Sequence, residues 1–164
     1  MLRKLFFITL ALFGMTAISS SVSANEATDI YESVMTDSYA GIYNGSLIRV
    51  YMNGEKNPVS GINTIVTDNG DGTVNLLINA FQVGKMPGTI TVDAKNVAVD
   101  ENGHFDMPKM AKIVILRILG IPSRFNANLN GDFSGNSLTF SVETVGAKYL
   151  GIGFEAAVTF QGTK

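Results

Sequence analysis

The only histidine, His104, sits in Asp100-Glu101-Asn102-Gly103-His104-Phe105-Asp106. Asp100, His104 and Asp106 offer one nitrogen and two oxygens, a donor set that a metal ion could use. A Ser-His-Asp arrangement would need the same imidazole beside an activated serine, but no Gly-x-Ser-x-Gly elbow is present. The plainer reading of this stretch is a hairpin corner at Asn102-Gly103, decorated with solvated acids. Asp68-Asn69-Gly70-Asp71-Gly72 has the composition of a calcium loop. Placing Asp71-Gly72 at its fifth and sixth positions puts Thr67 first and Ile78 twelfth, where acids are required. A hairpin turn explains those residues instead. Neither a catalytic set nor a metal or cofactor motif is found, so no cofactor is expected.

Binding without chemistry has better candidates. Phe125, Phe140 and Phe154, with Met52, Met110 and Leu116, fall at inward positions of alternating runs. Such residues could line an apolar ligand cavity, with methionine lending adaptability, or they could fill an ordinary packed core. Phe133, Phe160 and Met107 belong to the same set. Arg117 stands alone inside the apolar run Ile113–Leu119. It either reaches outward along its methylene stem or pairs with an anionic head group inside.

These residues need a scaffold, and the turn signals supply one. Five Asn-Gly dipeptides, at 44–45, 53–54, 69–70, 102–103 and 130–131, separate runs of alternating apolar and polar residues. Asn-Gly is the preferred corner of a two-residue hairpin because both positions tolerate φ > 0. Val74, Leu76 and Ile78 alternate after the Asp68–Gly72 turn, as do Leu138, Phe140 and Val142, and Phe154, Ala156, Val158 and Phe160. Ile90 and Val92 are even-numbered whereas Val97 and Val99 are odd, so a bulge is expected near Lys95-Asn96. Ile113–Leu119 is β-rich without alternation; it reads as a strand buried on both faces, a short helix, or a strand with an apolar outer side open to a partner. The count is about eight antiparallel strands, enough for an up-and-down barrel holding side chains or one small ligand.

The amino terminus stands apart. Arg3 and Lys4 precede an apolar stretch, Leu5–Met15, and then Val22-Ser23-Ala24. This is the pattern of a signal peptide over residues 1–24, and the apolar stretch is too short to span a bilayer comfortably. Residues 25–38 follow as a helical or flexible lead-in, with Ile30, Tyr31, Val34 and Met35 at helical spacing. Residues 39–164 form the barrel domain. The absence of cysteine excludes a lipoprotein anchor and fits a periplasmic or secreted bacterial protein. The formal charge is −2 with no basic cluster in the sequence, which argues against nucleic acid and against anionic membranes.

Tyr39-Ala40-Gly41-Ile42-Tyr43, the run from Asp71 to Phe81, Gly88–Val92, Leu129–Phe133, Leu138-Thr139-Phe140 and Val158–Lys164 occur in an order that spans most of this domain. The chain resembles the calycin-like β-barrel domain proteins of Bacteroides-type bacteria, relatives in shape of lipocalins, fatty-acid-binding proteins and avidins. Gly41-Ile42-Tyr43 stands where true lipocalins carry Gly-x-Trp. The resemblance implies a ligand-binding or interaction barrel. Two roles are therefore expected: a non-catalytic carrier of a small apolar or amphipathic ligand, or an interaction or inhibitor module with a filled core. In the second, an exposed Ile113–Leu119 edge would favour a homodimer.

Overall fold

In the computed structural model the described residues are 38–164. The helical segment and the leader expected before them lie outside this range. Eleven strands are formed: β1 (Gly41–Met52), β2 (Glu55–Lys56), β3 (Val59–Asp68), β4 (Thr73–Phe81), β5 (Thr89–Ala98), β6 (His104–Ile118), β7 (Ile121–Ser134), β8 (Ser137–Thr144), β9 (Lys148–Tyr149), β10 (Ile152–Gly153) and β11 (Ala156–Thr163). Eight of them close an antiparallel barrel in the order β1-β3-β4-β5-β6-β7-β8-β11, with β11 returning to β1. The closing register runs from Asn44 opposite Thr163 to Met52 opposite Ala156. Full closure removes the free sheet edges that would otherwise invite pairing. The short β2 is separated from β3 by Asn57-Pro58, where proline has no N–H for the ladder. Strands β9 and β10 form a small separate hairpin.

The alternating runs become walls with one buried face, and Ile113–Leu119 proves to be strand. Residues 114–117 of β6 pair with β5, and 114–118 pair with β7, so this stretch is no edge. Ile113, Val114, Ile115 and Leu116 are all buried. The free edge expected at Ile113–Leu119 is therefore corrected: residues 114–117 are already paired on both sides.

The barrel bends at bulges, and three of them share one construction. Asn96, Lys109 and Lys112 each have φ between 53° and 60° at a shift in pairing register. An extra residue leaves an amide without its ladder partner. Here an asparagine on the neighbouring strand replaces it. Asn96 N–H donates to Asn75 Oδ1 at 3.0 Å, Lys109 N–H to Asn128 Oδ1 at 2.9 Å, and Lys112 N–H to Asn126 Oδ1 at 3.0 Å. The irregularity expected at Lys95-Asn96 is the first of the three.

Two of the five Asn-Gly pairs are not corners. Asn44-Gly45 lies within β1 and Asn130-Gly131 within β7. A Cβ on Gly131 would lie 2.4 Å from the Cβ of Phe140. That glycine serves close strand approach rather than reversal.

Candidate functional site

The two ends of the barrel are built differently. At one end Tyr39 stacks on Phe133 with ring centroids 4.4 Å apart, and Phe105 and Tyr43 lie 5.5 and 6.0 Å from the same ring. The Tyr43 hydroxyl donates to the Tyr39 carbonyl at 3.0 Å. Burial, and next the neighbouring Tyr39, push the Tyr43 phenol above its ordinary pKa. Lys164 Nζ donates to the Ser38 carbonyl and, at 3.2 Å, to the Ala40 carbonyl, while sitting 5.5 Å over the Tyr43 ring. Aromatic packing and this lysine seal the end.

The middle is also filled. Phe140 and Phe160 pack at 5.3 Å, and Leu47, Leu76, Ile78, Leu116, Leu129 and Leu138 are completely or almost completely buried. The void beside Met52, Val92 and Val142 measures only about 10 Å³, room for one water at most.

The opposite end is open. A hollow of about 430 Å³ is lined by Met52, Asn53, Lys56, Val83, Gly84, Lys85, Met86 and Phe154. Its walls come from the end of β1 and the turn into β2, the β4–β5 loop and Phe154 between β10 and β11. Each wall is tied down. Asn53 N–H donates to the Glu155 carbonyl at 2.9 Å, and Glu155 N–H donates to Asn53 Oδ1 at 2.8 Å. Gln82 Nε2 donates to the Met86 carbonyl at 2.7 Å, and Met86 N–H to the Val83 carbonyl at 3.1 Å. Phe154 packs on Phe125 at 5.0 Å. The result is an apolar floor with two ammonium groups at its rim.

A second hollow of about 400 Å³ lies beside this rim, with Arg49, Tyr51, Glu143, Glu155 and Phe154 among its walls. Phe154 thus separates an apolar hollow from a polar one. Arg49 faces Glu55 at 3.7 Å between exposed side chains, a pair worth little in stability.

The sequence-predicted residues separate into three groups. Met52 and Phe154 line the mouth hollow. Leu116, Phe125 and Phe140 are core, and Met110 packs half-buried against it. Arg117 does not line the interior: it is exposed on the outer face, with its guanidinium 3.4 Å from Thr91 Oγ1. Its reading as an internal anchor is corrected. Alternation explains it, since Val114 and Leu116 point in and Arg117 must point out. Val83, Met86, Lys56 and Lys85 were not predicted, because they stand in a loop or a two-residue strand that carries no periodicity.

The histidine cluster resolves as turn chemistry. His104 Nδ1 lies 2.8 Å from Asp132 Oδ1, while Asp100 Oδ1 accepts the backbone N–H groups of Asn102 and His104. The Asp132 hydrogen bond, with the charges of Asp132, Asp100 and Asp106 adding to it, raises the His104 pKa above its ordinary value. Among the described residues no group of three His, Cys, Asp or Glu side chains is arranged to hold a metal ion.

A family model described as the calycin-like beta-barrel domain matches residues 39–163. No curated protein and no solved structure matches the chain.

Proposed function

The chain belongs to the calycin-like beta-barrel domain family, and from that premise we propose that it binds a small anionic amphiphile, without catalysis, at the mouth of its barrel. One observation carries this reading: the hollow of about 430 Å³ whose Met52, Val83, Met86 and Phe154 walls meet Lys56 and Lys85 at the rim. The size falls within the range of small-molecule sites. An apolar tail would lie on the methionines, which adapt to varied shapes, and the head group would face the ammonium groups. Because the interior is packed, the tail is held at the rim and not along the barrel axis. The leader pattern from Arg3 to Ala24 supports work in the periplasm or outside the cell.

Titration calorimetry with octanoate and with octanol tests the reading. Octanoate is expected to bind, and Met86→Trp, which fills the hollow, to abolish it. Replacing Lys56 and Lys85 by glutamine should weaken octanoate about tenfold, equivalent to ~1.4 kcal/mol, and leave octanol unchanged. No heat with either compound at millimolar concentration would discard the reading. A second role, an interaction or inhibitor module acting through its surface, is favoured by the packed interior, which leaves the outside of the barrel as the part available to a partner.

A further inference from the structure

Six large hydrophobic residues stand exposed among the described residues, and four of them lie on two hairpin tips: Leu119 (91%) and Ile121 (70%) between β6 and β7, Leu150 (84%) and Ile152 (72%) between β9 and β10. The two tips share the sequence Leu-Gly-Ile. They also share a conformation. Leu119 and Leu150 both have φ 50°, followed by Gly120 at 81° and Gly151 at 82°. Two successive positive φ values mark a type I′ corner, where asparagine and glycine are preferred; leucine there is strained. Each tip holds a bulky aliphatic side chain in a position that suits it poorly and that solvent surrounds.

The segments beside the two tips neighbour one another. A hollow of about 400 Å³ lies between them, walled by Ser123 to Asn126 on one side and Val145 to Lys148 on the other. Both belong to the open end, since Phe154 beside the second tip packs on Phe125 beside the first.

Charge is sorted along the same axis. From Met107 to Gly131 the chain has no Asp or Glu but carries Lys109, Lys112, Arg117 and Arg124. Lys148 precedes the second tip and Lys85 lies in the β4–β5 loop, again with no acid in the segment 144–154 or 80–88. The acids Asp68, Asp71, Asp100 and Glu101 occupy turns at the sealed end, whereas at the open end the acids Glu55, Glu143 and Glu155 are outnumbered by Arg49, Lys56, Lys85, Arg117, Arg124 and Lys148. The net charge of −2 conceals this separation, which is why the sequence alone argues against an anionic membrane.

We propose that the open end docks on an anionic lipid surface, with Leu119, Ile121, Leu150 and Ile152 entering the headgroup–acyl boundary and the surrounding lysines and arginines facing lipid phosphates. Separate aliphatic tips framed by cations match a fluid, negatively charged interface. The barrel wall itself does not face lipid: its outward positions include Asn75, Asn126, Asn128, Thr139 and Ser141, where a membrane-spanning barrel would need an apolar band. This inference does not depend on the mouth hollow being occupied.

Flotation of the full chain with vesicles tests it, comparing wild type with the double variant Leu119→Asn/Leu150→Asn on the same amino terminus, so that Leu5–Met15 contributes equally to both. Asparagine suits the corner better than leucine, so the variant should fold with an equal or higher Tm. Wild type is expected to float with phosphatidylglycerol-containing vesicles and far less with pure phosphatidylcholine. The variant should lose at least about tenfold in partitioning. Arg117→Gln/Arg124→Gln should weaken binding to the anionic vesicles only, and added salt should do the same. Three results would each overturn the proposal: no flotation of wild type with anionic vesicles, equal flotation of wild type and the asparagine variant, or a wild-type dimer that the asparagine variant dissociates while neither binds vesicles, which would assign the tips to a second copy of the chain.

Discussion

The sealed and open ends of this barrel are made by the same eight strands and differ in nearly everything the strands do not dictate. At the sealed end, three aromatic rings surround Phe133, acidic turns follow the Asn-Gly and Asp-Gly pattern, and Lys164 straps the chain at Ser38 and Ala40. At the open end, methionines and a single phenylalanine border a hollow, and two corners carry leucine where asparagine would be easier. Strand pairing fixes a closed wall; the residues at its rims decide which end is plugged and which remains available. The packed middle keeps the two ends from sharing one continuous cavity.

The largest expected effect tests that difference directly. Phe133→Ala removes the ring on which Tyr39 stacks and around which Tyr43 and Phe105 pack, and should cost about 3–5 kcal/mol. Met52→Ala, at a residue that already borders open space, should cost about 2 kcal/mol, the low end for such a truncation. Urea unfolding with unchanged m-values reads both. Equal losses would mean that the mouth is packed as tightly as the seal, and the contrast would fail.

Two glycines sharpen it next. Gly131→Ala would press a methyl group against Phe140 and the Thr139 carbonyl, each 2.4 Å from the new carbon, and should cost about 1–3 kcal/mol through overpacking. Gly120→Ala meets nothing within 4 Å, but its φ of 81° strains an alanine by about 1 kcal/mol. The first should therefore exceed the second in the same unfolding assay. A reversed order would place the tighter constraint at the exposed tip.

The bulges between the ends give a smaller effect. Asn126→Ala removes the acceptor for Lys112 N–H, and Asn128→Ala that for Lys109 N–H. Each should cost about 1 kcal/mol, less where water reaches the freed amide. Faster hydrogen exchange at Lys109 and Lys112 would accompany the loss; unchanged exchange would show that the asparagines do not hold the bulges.

Much of the wall was legible in the sequence because alternation reports burial directly. Leu138, Phe140 and Val142 point in as their spacing requires, and the parity change between Val92 and Val97 announces the Asn96 bulge. The bulges at Lys109 and Lys112 were hidden, since Met110, Ala111 and Ile113 are apolar whichever face they take. The Asn-Gly signal failed where glycine was selected for close approach, at Gly45 and Gly131. Leu-Gly corners went unread because leucine is a poor turn former. Of the site, Met52 and Phe154 were accessible through the strands they flank. Lys56, Val83, Lys85 and Met86 were not, because the hollow arises from loops meeting across the barrel, a relation that local spacing does not encode.

The smallest effect belongs to His104 and Asp132, at the start of β6 and near the end of β7, and it separates the ends by pH. The pair is exposed, so its contribution to stability is slight, but its sign is fixed. Hydrogen bonding to Asp132 raises the His104 pKa above 6.5 in the folded state, so the folded chain holds the proton more tightly than the unfolded one. The resulting stabilisation is fully present below pH 6.5 and is lost as pH rises through the folded-state value. Tm measured from pH 5 to pH 8 for wild type and for Asp132→Asn should therefore differ most at the acidic end and converge toward pH 8. The open end has no counterpart among the described residues, because the chain's only histidine lies on β6 next to the Asn102-Gly103 corner. A difference that grew toward pH 8 would show that Asp132 stabilises the corner through something other than the protonated imidazole, and the acidic sealed end would then owe its firmness to packing and Lys164 alone.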